Sequence, residues 1–241
     1  MSIFVSDSRF IMDLGMNNGD DTAYYLAKGF SVVAVEANPA LVAAASTRFA
    51  AQIAAGRVTI LPNAVAGESG RVSFFINEAN DHWSSMDMGW AGRGDSACHA
   101  IEVEALTLGE IFDRFGIPYY LKIDVEGADK DILAQLGRQL IKPLYVSIED
   151  CRFGFEYIET LAAAGYDGFK LLDQSTVHEL ADEAIGYQFP AGSSGPFGRA
   201  LPGQWLSRRD MHSVYARTVR DRAGTRLAPR TRWWDIHATK R

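Results

Sequence analysis

Cysteine is nearly absent: Cys98 and Cys151 are the only two in 241 residues. Two thiols do not make a disulfide framework, and no Cys/His spacing resembles a zinc ligand set. Long hydrophobic runs are missing as well. The longest apolar stretches, such as Ala40 to Ala45, fall far short of the roughly 20 residues that cross a bilayer. The opening Met1-Ser2-Ile3-Phe4-Val5-Ser6-Asp7 lacks the basic start and apolar core of a signal peptide. The expectation is a soluble, reduced, cytoplasmic protein with no transmembrane segment. Neither sign of charge dominates, since 24 basic against 30 acidic side chains leave a formal −6. A hydrophobic share of 47% with 22% charged residues excludes wholesale disorder. A chain this long buries enough surface to fold without a metal or a disulfide.

The balance hides an asymmetry. Residues 207–241 hold ten basic side chains (Arg208, Arg209, Arg217, Arg220, Arg222, Arg226, Arg230, Arg232, Lys240, Arg241) and three acidic ones, a tail of +7. Residues 1–206 carry the remaining 14 basic and 27 acidic side chains, a body of −13. Such a body argues against nucleic acid held through its phosphates, unless the tail holds it alone.

Apolar runs of strand length alternate with helical patterns. Phe10 to Leu14, Ser31 to Val35, Val58 to Leu61, Tyr119 to Val125, Leu144 to Ile148 and residues 169–172 read as strands. Between them, helices are expected from Asp20 or Asp21 to Leu26, from Pro39 to about Ala55, and over 107–115, 128–136 and 155–164. Residues 71–76 look like a hairpin arm, and 77–100 like a long polar loop. Beyond residue 185 only Trp233 to Ala238 looks like a strand. Strands separated by helices imply parallel βαβ units in a doubly wound α/β sheet covered on both faces.

In such sheets ligands bind beyond the carboxyl ends of the strands. After the first strand stands Asp13-Leu14-Gly15-Met16-Asn17-Asn18-Gly19. Gly15 allows a tight turn and Gly19 a close approach to a ligand. The spacing is G-x-x-x-G, and Asn17 occupies the middle glycine of the dinucleotide fingerprint, which disfavours NAD. Glu36 ends the second strand, where a carboxylate accepts both hydroxyl hydrogens of a ribose; a charge before the helix at Pro39 is favourable in any case. Asn63-Ala64 follows the third strand and offers an adenine edge or an ordinary turn. Strict alternation puts Lys122, Asp124 and Glu126 on one side of the fourth strand. Charges there are costly unless paired or functional, and Lys122 with Asp124 can be a plain ion pair. Glu149-Asp150 ends the fifth strand.

These residues resemble a family. Asp13-x-Gly15-x-Asn17-x-Gly19, Val35-Glu36-Ala37-Asn38-Pro39, Asn63-Ala64-Val65, Ser84-Ser85, Thr107-Leu108 and Leu121-Lys122-Ile123-Asp124-Val125-Glu126-Gly127 look like the FkbM-type methyltransferases, over about residues 10–150. Met16 stands where that family often has alanine, and Ala37 where it often has proline. The resemblance implies a Rossmann-like class I methyltransferase fold, a doubly wound, mostly parallel seven-stranded sheet with helices on both faces and a hairpin/loop insertion. It implies one domain, 1–241, with the cofactor core at about 10–150 and acceptor-side elements at about 151–241. It implies S-adenosylmethionine as cofactor, held by Asp13, Gly15, Asn17, Gly19, Glu36, Ala37, Asn63, Ala64 and Asp124. The expected reaction is O-methylation of a small-molecule or glycan hydroxyl.

A hydroxyl acceptor loses its proton as it attacks, which calls for a base near the methyl group. Glu126 stands first, with Glu149, Asp150 and His178 as alternatives. Paired carboxylates can instead hold Mg²⁺, but no residue is assigned to a metal. Asp81-His82-Trp83-Ser84-Ser85 offers a ring and hydroxyls to a sugar face, although His82 reads first as a solvated loop residue. Ser193 to Gly198 reads as a lid or as a surface turn. Tyr24, Tyr25 and the alanines 43–45 are read as core. Two other readings stay open at this point: a nucleotide-dependent oxidoreductase on the same sheet, and a cofactor-binding module without turnover.

Overall fold

A computed structural model describes residues 2–150 and 152–241; Cys151 lies outside the described residues. After a short strand Ile3–Val5 that pairs with Ile141–Pro143 outside the main sheet, strands β1 (Phe10–Leu14), β2 (Ser31–Val35) and β3 (Val58–Leu61) follow. Next, β4 (Gly70–Asn77) and β5 (Cys98–Leu106) form an antiparallel insertion. Then follow β6 (Tyr120–Ile123), β7 (Tyr145–Glu149), β8 (Gly168–Asp173) and β9 (Trp234–Thr239). Seven of them build one sheet in the order β8-β9-β7-β6-β1-β2-β3. Pairing is parallel from β3 to β7, and β9 runs antiparallel between β7 and β8. This strand order, read inward from β3, is that of the class I methyltransferase fold.

Helices α1 (Asp20–Ala27) and α2 (Pro39–Arg48) cover one face. The other carries α3 (Leu108–Phe115), α4 (Asp129–Arg138), α5 (Gly154–Ala163) and α6 (Arg208–Thr218). Alternation along each strand feeds two cores. Met12, Leu14, Val33, Val35, Leu121, Ile123, Val146 and Ile148 pack with α3 to α6. Ile11, Val32, Ala34, Tyr120 and Tyr145 pack with Tyr24, Tyr25 and Phe197 on the α1 face. Each buried Leu, Ile or Phe contributes about 1.5–3 kcal/mol, so both faces hold the sheet. Asp13, Lys122, Ser147 and Glu149 share the parity of the second group, so the α1 face carries the charged residues.

Several elements depart from the sequence expectations. The strand expected to run to Val125 ends at Ile123, and Glu126 has a φ of 53°. Strict alternation therefore does not place Glu126 beside Lys122 and Asp124. Gly19, with φ 81°, caps α1, and neither Asp20 nor Asp21 does. The alanine-rich helix breaks at Phe49 and resumes over Ala50–Ala54. Of the alanine stripe only Ala45 is core, while Ala43 and Ala44 are exposed. Much of the expected loop 77–100 is ordered by one-turn helices (Asp81–Trp83 and Met88–Ala91), and its end enters β5. Helix α6 had no sequence expectation, because its apolar stripe is little more than Met211 and Tyr215, one turn apart. No helix among the described residues is long and apolar enough to cross a membrane.

Candidate active site

The carboxyl ends of the parallel strands and the start of β9 open on one cavity of about 890 Å³. It runs from Glu36, after β2, to Asp235, in β9. Those strands lie four steps apart in the sheet, roughly 19 Å at about 4.8 Å per step.

At the first end, the turn after β1 needs glycine at Gly15. Its φ is 84°, and a Cβ there would sit 1.7 Å from the Asp124 carbonyl oxygen. Asn17 also takes a positive φ, 50°, which asparagine tolerates. Its amide donates to Glu36 Oε2 at 2.8 Å, and the Asn38 amide donates to Oε1 at 2.8 Å. Two backbone donors thus orient a buried carboxylate whose remaining lone pairs are available to hydroxyls. Burial raises the Glu36 carboxyl above its ordinary range, against the pull of those amides. Gly15, Asn17, Glu36, Ala37, Asn63, Ala64 and Asp124 all line the cavity.

Two of the expected cofactor residues do not. Asp13 is wholly buried under the turn. It accepts from Thr22 Oγ1 at 2.8 Å and lies 3.6 Å from Lys122 Nζ. Burial lifts its carboxyl to about 6, with Lys122 opposing. Gly19 packs on the Phe49 ring, 2.6 Å from where a Cβ would stand. Its φ of 81° and that ring explain the glycine; ligand approach does not.

Lys122 is itself buried. Its ammonium meets Asp21 at 3.1 Å, Asp124 at 3.2 Å and the Gly15 carbonyl at 3.4 Å. The ion pair with Asp124 is therefore real, and Asp124 lines the cavity too. Asp21 also accepts from the Ser194 amide at 2.7 Å. That contact ties the 192–195 crossing to the site, where Gly192 and Ser194 line the cavity.

At the centre, one oxygen each of Asp124, Glu126 and Glu149 lie within 4.8 Å of one another. An all-oxygen set of this kind suits a hard cation such as Mg²⁺ better than zinc. Like charges this close do not all ionise in a buried setting. Burial first, then Asp124, pushes Glu126 up to about 7, against Arg93 and the Trp90 indole. Burial, Glu126 and Asp124 drive Glu149 well above its ordinary range, and burial with Asp124 does the same to Asp235. Glu126 Oε2 accepts from Trp90 Nε1 and, at 3.0 Å, from Arg93. The Arg93 guanidinium lies over both the Trp83 and Trp90 rings, 4.8 and 4.6 Å from their centroids. Ser85 donates to the Glu126 carbonyl and pairs with Phe75 of β4, so the insertion helps hold the Glu126 turn.

His178 does not belong to this centre. It is exposed on the short 3-10 helix Gln174–Glu179 and does not line the cavity. Asp81, His82, Trp83 and Ser84 do line it; Tyr24 and Tyr25 are core. The cavity also holds Gln174, Arg152 and Asp235, which the sequence reading did not assign, and Arg220, Arg226, Arg230, Arg232 and Trp233 of the basic tail. The +7 tail was the available signal for most of them.

Residues 13–183 match the methyltransferase FkbM domain. The chain belongs to the FkbM methyltransferase family. Solved structures similar to this FkbM-family chain include the FkbM methyltransferase of Methylobacillus flagellatus KT, with 17% identity and a TM-score of 0.43. That match covers 70% of this chain and 41% of the other, so the chain spans less than half of that structure's length. Another is the precorrin-6y C5,15-methyltransferase of Geobacter metallireducens GS-15, with 12% identity, TM-score 0.43, and 98% and 82% of the two chains covered. A third is an rRNA methylase of Streptococcus thermophilus, with 10% identity, TM-score 0.41, and 98% and 90% covered. No curated protein matches the sequence.

Proposed function

We propose that this chain is an S-adenosylmethionine-dependent O-methyltransferase acting on a hydroxyl of a sugar, glycan or related natural product. One observation carries the reading. A single cavity contains Glu36, a carboxylate oriented by two backbone amides, and, two strands away, Glu126, whose carboxyl is pushed up to about 7. Two strand steps are roughly 10 Å, a span that leaves room for the rest of a nucleoside-type cofactor.

In this reading Glu36 accepts the ribose hydroxyls, the Gly15–Asn17 turn and Asp124 flank the cofactor, and Asn63 and Ala64 border its base. When bound, the cofactor supplies an activated methyl group, so the protein's work is to place the acceptor and exclude water. Glu126 takes the acceptor's proton as the new bond forms; a base titrating near neutral pH suits that role. Glu149, next to it, shares the proton load of the centre.

Calorimetry with S-adenosylmethionine and S-adenosylhomocysteine tests the reading. Glu36→Ala removes a charge-assisted hydrogen-bond acceptor and should weaken binding about 10- to 100-fold. Glu68→Ala, in an exposed turn, should leave it unchanged. No binding at about millimolar cofactor overturns the proposal. Transfer of labelled methyl groups to glycans or cell extract then finds the acceptor.

A further inference from the structure

The cavity is unusually rich in arginine. Arg93, Arg152, Arg220, Arg226, Arg230 and Arg232 all line it. Three have carboxylate partners: Arg93 has Glu126 at 3.0 Å, Arg220 has Asp150 at 3.4 Å, and Arg232 has Asp173 at 3.3 Å. Among the described residues, Arg152, Arg226 and Arg230 have none. Arg152 lies over the Trp90 ring at 4.5 Å. Arg226 donates to the Arg232 carbonyl, and its Nε is buried with no hydrogen-bond partner.

The backbone puts two of these cations together. After α6 the chain makes a tight reversal in which Asp221 accepts from the amides of Ala223 and Thr225. Arg220 and Arg226 then face each other across an antiparallel bridge. Directly opposed residues of such a pair present their side chains on the same face, and like charges there are destabilising. Three guanidinium groups without an ion-pair partner, one of them with an orphaned N–H, therefore line the cavity that holds the proposed base: Arg152 over Trp90, which bonds that base, and Arg226 and Arg230 from the segment before β9. A single carboxylate would balance one of those charges. A phosphate ester carries about −1.5 to −2 and offers three acceptor oxygens, matching the bidentate fork of arginine.

We infer that the methyl acceptor carries a phosphate or diphosphate ester, held by Arg152, Arg226 and Arg230 while its hydroxyl reaches Glu126. This rests on the reading of the cavity as a methyl-transfer site. Strand β9, which Arg226 and Arg230 precede in the chain, is two strand steps from β6, whose end leads into Glu126. The separation of roughly 10 Å is the scale of one sugar ring with its ester group.

The test is calorimetry on the full chain saturated with S-adenosylhomocysteine. Inorganic pyrophosphate, glucose 1-phosphate, glucose and vesicles of phosphatidylcholine with one-fifth phosphatidylglycerol serve as titrants. Pyrophosphate and glucose 1-phosphate should bind, and glucose should not. The double variant Arg152→Gln/Arg230→Gln changes two exposed side chains and should weaken pyrophosphate at least tenfold, with S-adenosylhomocysteine affinity within twofold of wild type. Arg208→Gln removes the same kind of charge at a surface pair with Glu159 and should change neither. The inference fails if a cofactor-competent protein binds no pyrophosphate. It fails too if the double variant binds pyrophosphate as well as wild type, or if only vesicles bind. Arginine-dependent pyrophosphate binding without S-adenosylhomocysteine binding would overturn the methyl-transfer reading and leave the anion site standing.

Discussion

Replacing Glu126 by glutamine tests the centre without any knowledge of the acceptor. The wild-type carboxyl sits near 7 against an ordinary 4.5, so the folded chain holds a proton that the unfolded chain releases between those values. Linkage then gives the sign: stability falls as pH rises from about 4.5 to about 7, and the full penalty applies above 7. Integrated over that window, it amounts to about 3 kcal/mol. The substituted amide is neutral at every pH, so E126Q should match wild type near pH 4.5 and exceed it at pH 8 by up to about 3 kcal/mol. Loss of Arg93's ion partner trims that gain. Urea unfolding at both pH values measures it. The reporter of the proton is Trp90, whose indole N–H donates to Glu126 Oε2. Its ¹⁵N–¹H resonance should titrate with a midpoint near 7 and stop titrating in E126Q. A midpoint at 4–5, or an E126Q protein no more stable at pH 8 than wild type, would refute the electrostatic account. With an acceptor in hand, the same variant should lose about 10²–10⁴ in kcat.

Gly15→Ala must adopt φ 84° and place a Cβ 1.7 Å from the Asp124 carbonyl. The left-handed backbone alone costs about 1–2 kcal/mol, so Tm should drop by several degrees and cofactor affinity with it; an unchanged Tm would contradict the turn described. Arg208→Gln with Arg209→Gln removes exposed charges and should shift stability by no more than about 1 kcal/mol, with cofactor binding intact. Arg220→Gln takes the cation from Asp150, whose side chain is 1% exposed, and should destabilise by about 3–5 kcal/mol in urea unfolding.

The strands and their order were largely legible because continuous apolar runs ending in Gly15, Glu36 and Asp124 carry both the sheet and the edge where ligands bind. The Glu36 assignment needed only strand position and charge. Three other features were less accessible. β5 alternates Ile101, Val103 and Ala105 against Val72 and Phe74 of β4, but its outward face is polar, and the sequence read as loop and as unassigned residues. Helix α6 buries little more than two side chains, so its periodicity hardly rises above background. The placement of Glu126 depended on a backbone turn just past the strand, which alternation does not encode. Asp13 and Gly19 carry the family's motif, yet their contacts are with Lys122, Thr22 and Phe49. A motif position can thus support a site from beneath it without lining it. The tail arginines lie beyond residue 183, outside the matched family region, and reach the cavity only when α6 packs on α5 and β8 and β9 pairs with β7.

Lys122 is the residue on which these parts meet. Its ammonium contacts Asp13, Asp21 and Asp124, so one cation faces three carboxylates, and Asp13 is already lifted to about 6. Lys122→Met conserves much of the volume and removes the only positive charge within ion-pair distance of these three acids among the described residues. Breaking a buried ionic group this way costs about 3–5 kcal/mol, provided the orphaned acids stay ionised. They can instead take up protons, and the cost then becomes pH-dependent. If the folded variant keeps the proton that wild-type Asp13 releases near pH 6, the difference in stability grows by about 1.4 kcal/mol per pH unit above that value. Urea unfolding at pH 5 and pH 8 should therefore show K122M nearer to wild type at pH 5 and several kcal/mol below it at pH 8. An equal gap at the two pH values would mean that the loss comes from packing, and that Lys122 does not hold the acids of this edge in their charged form.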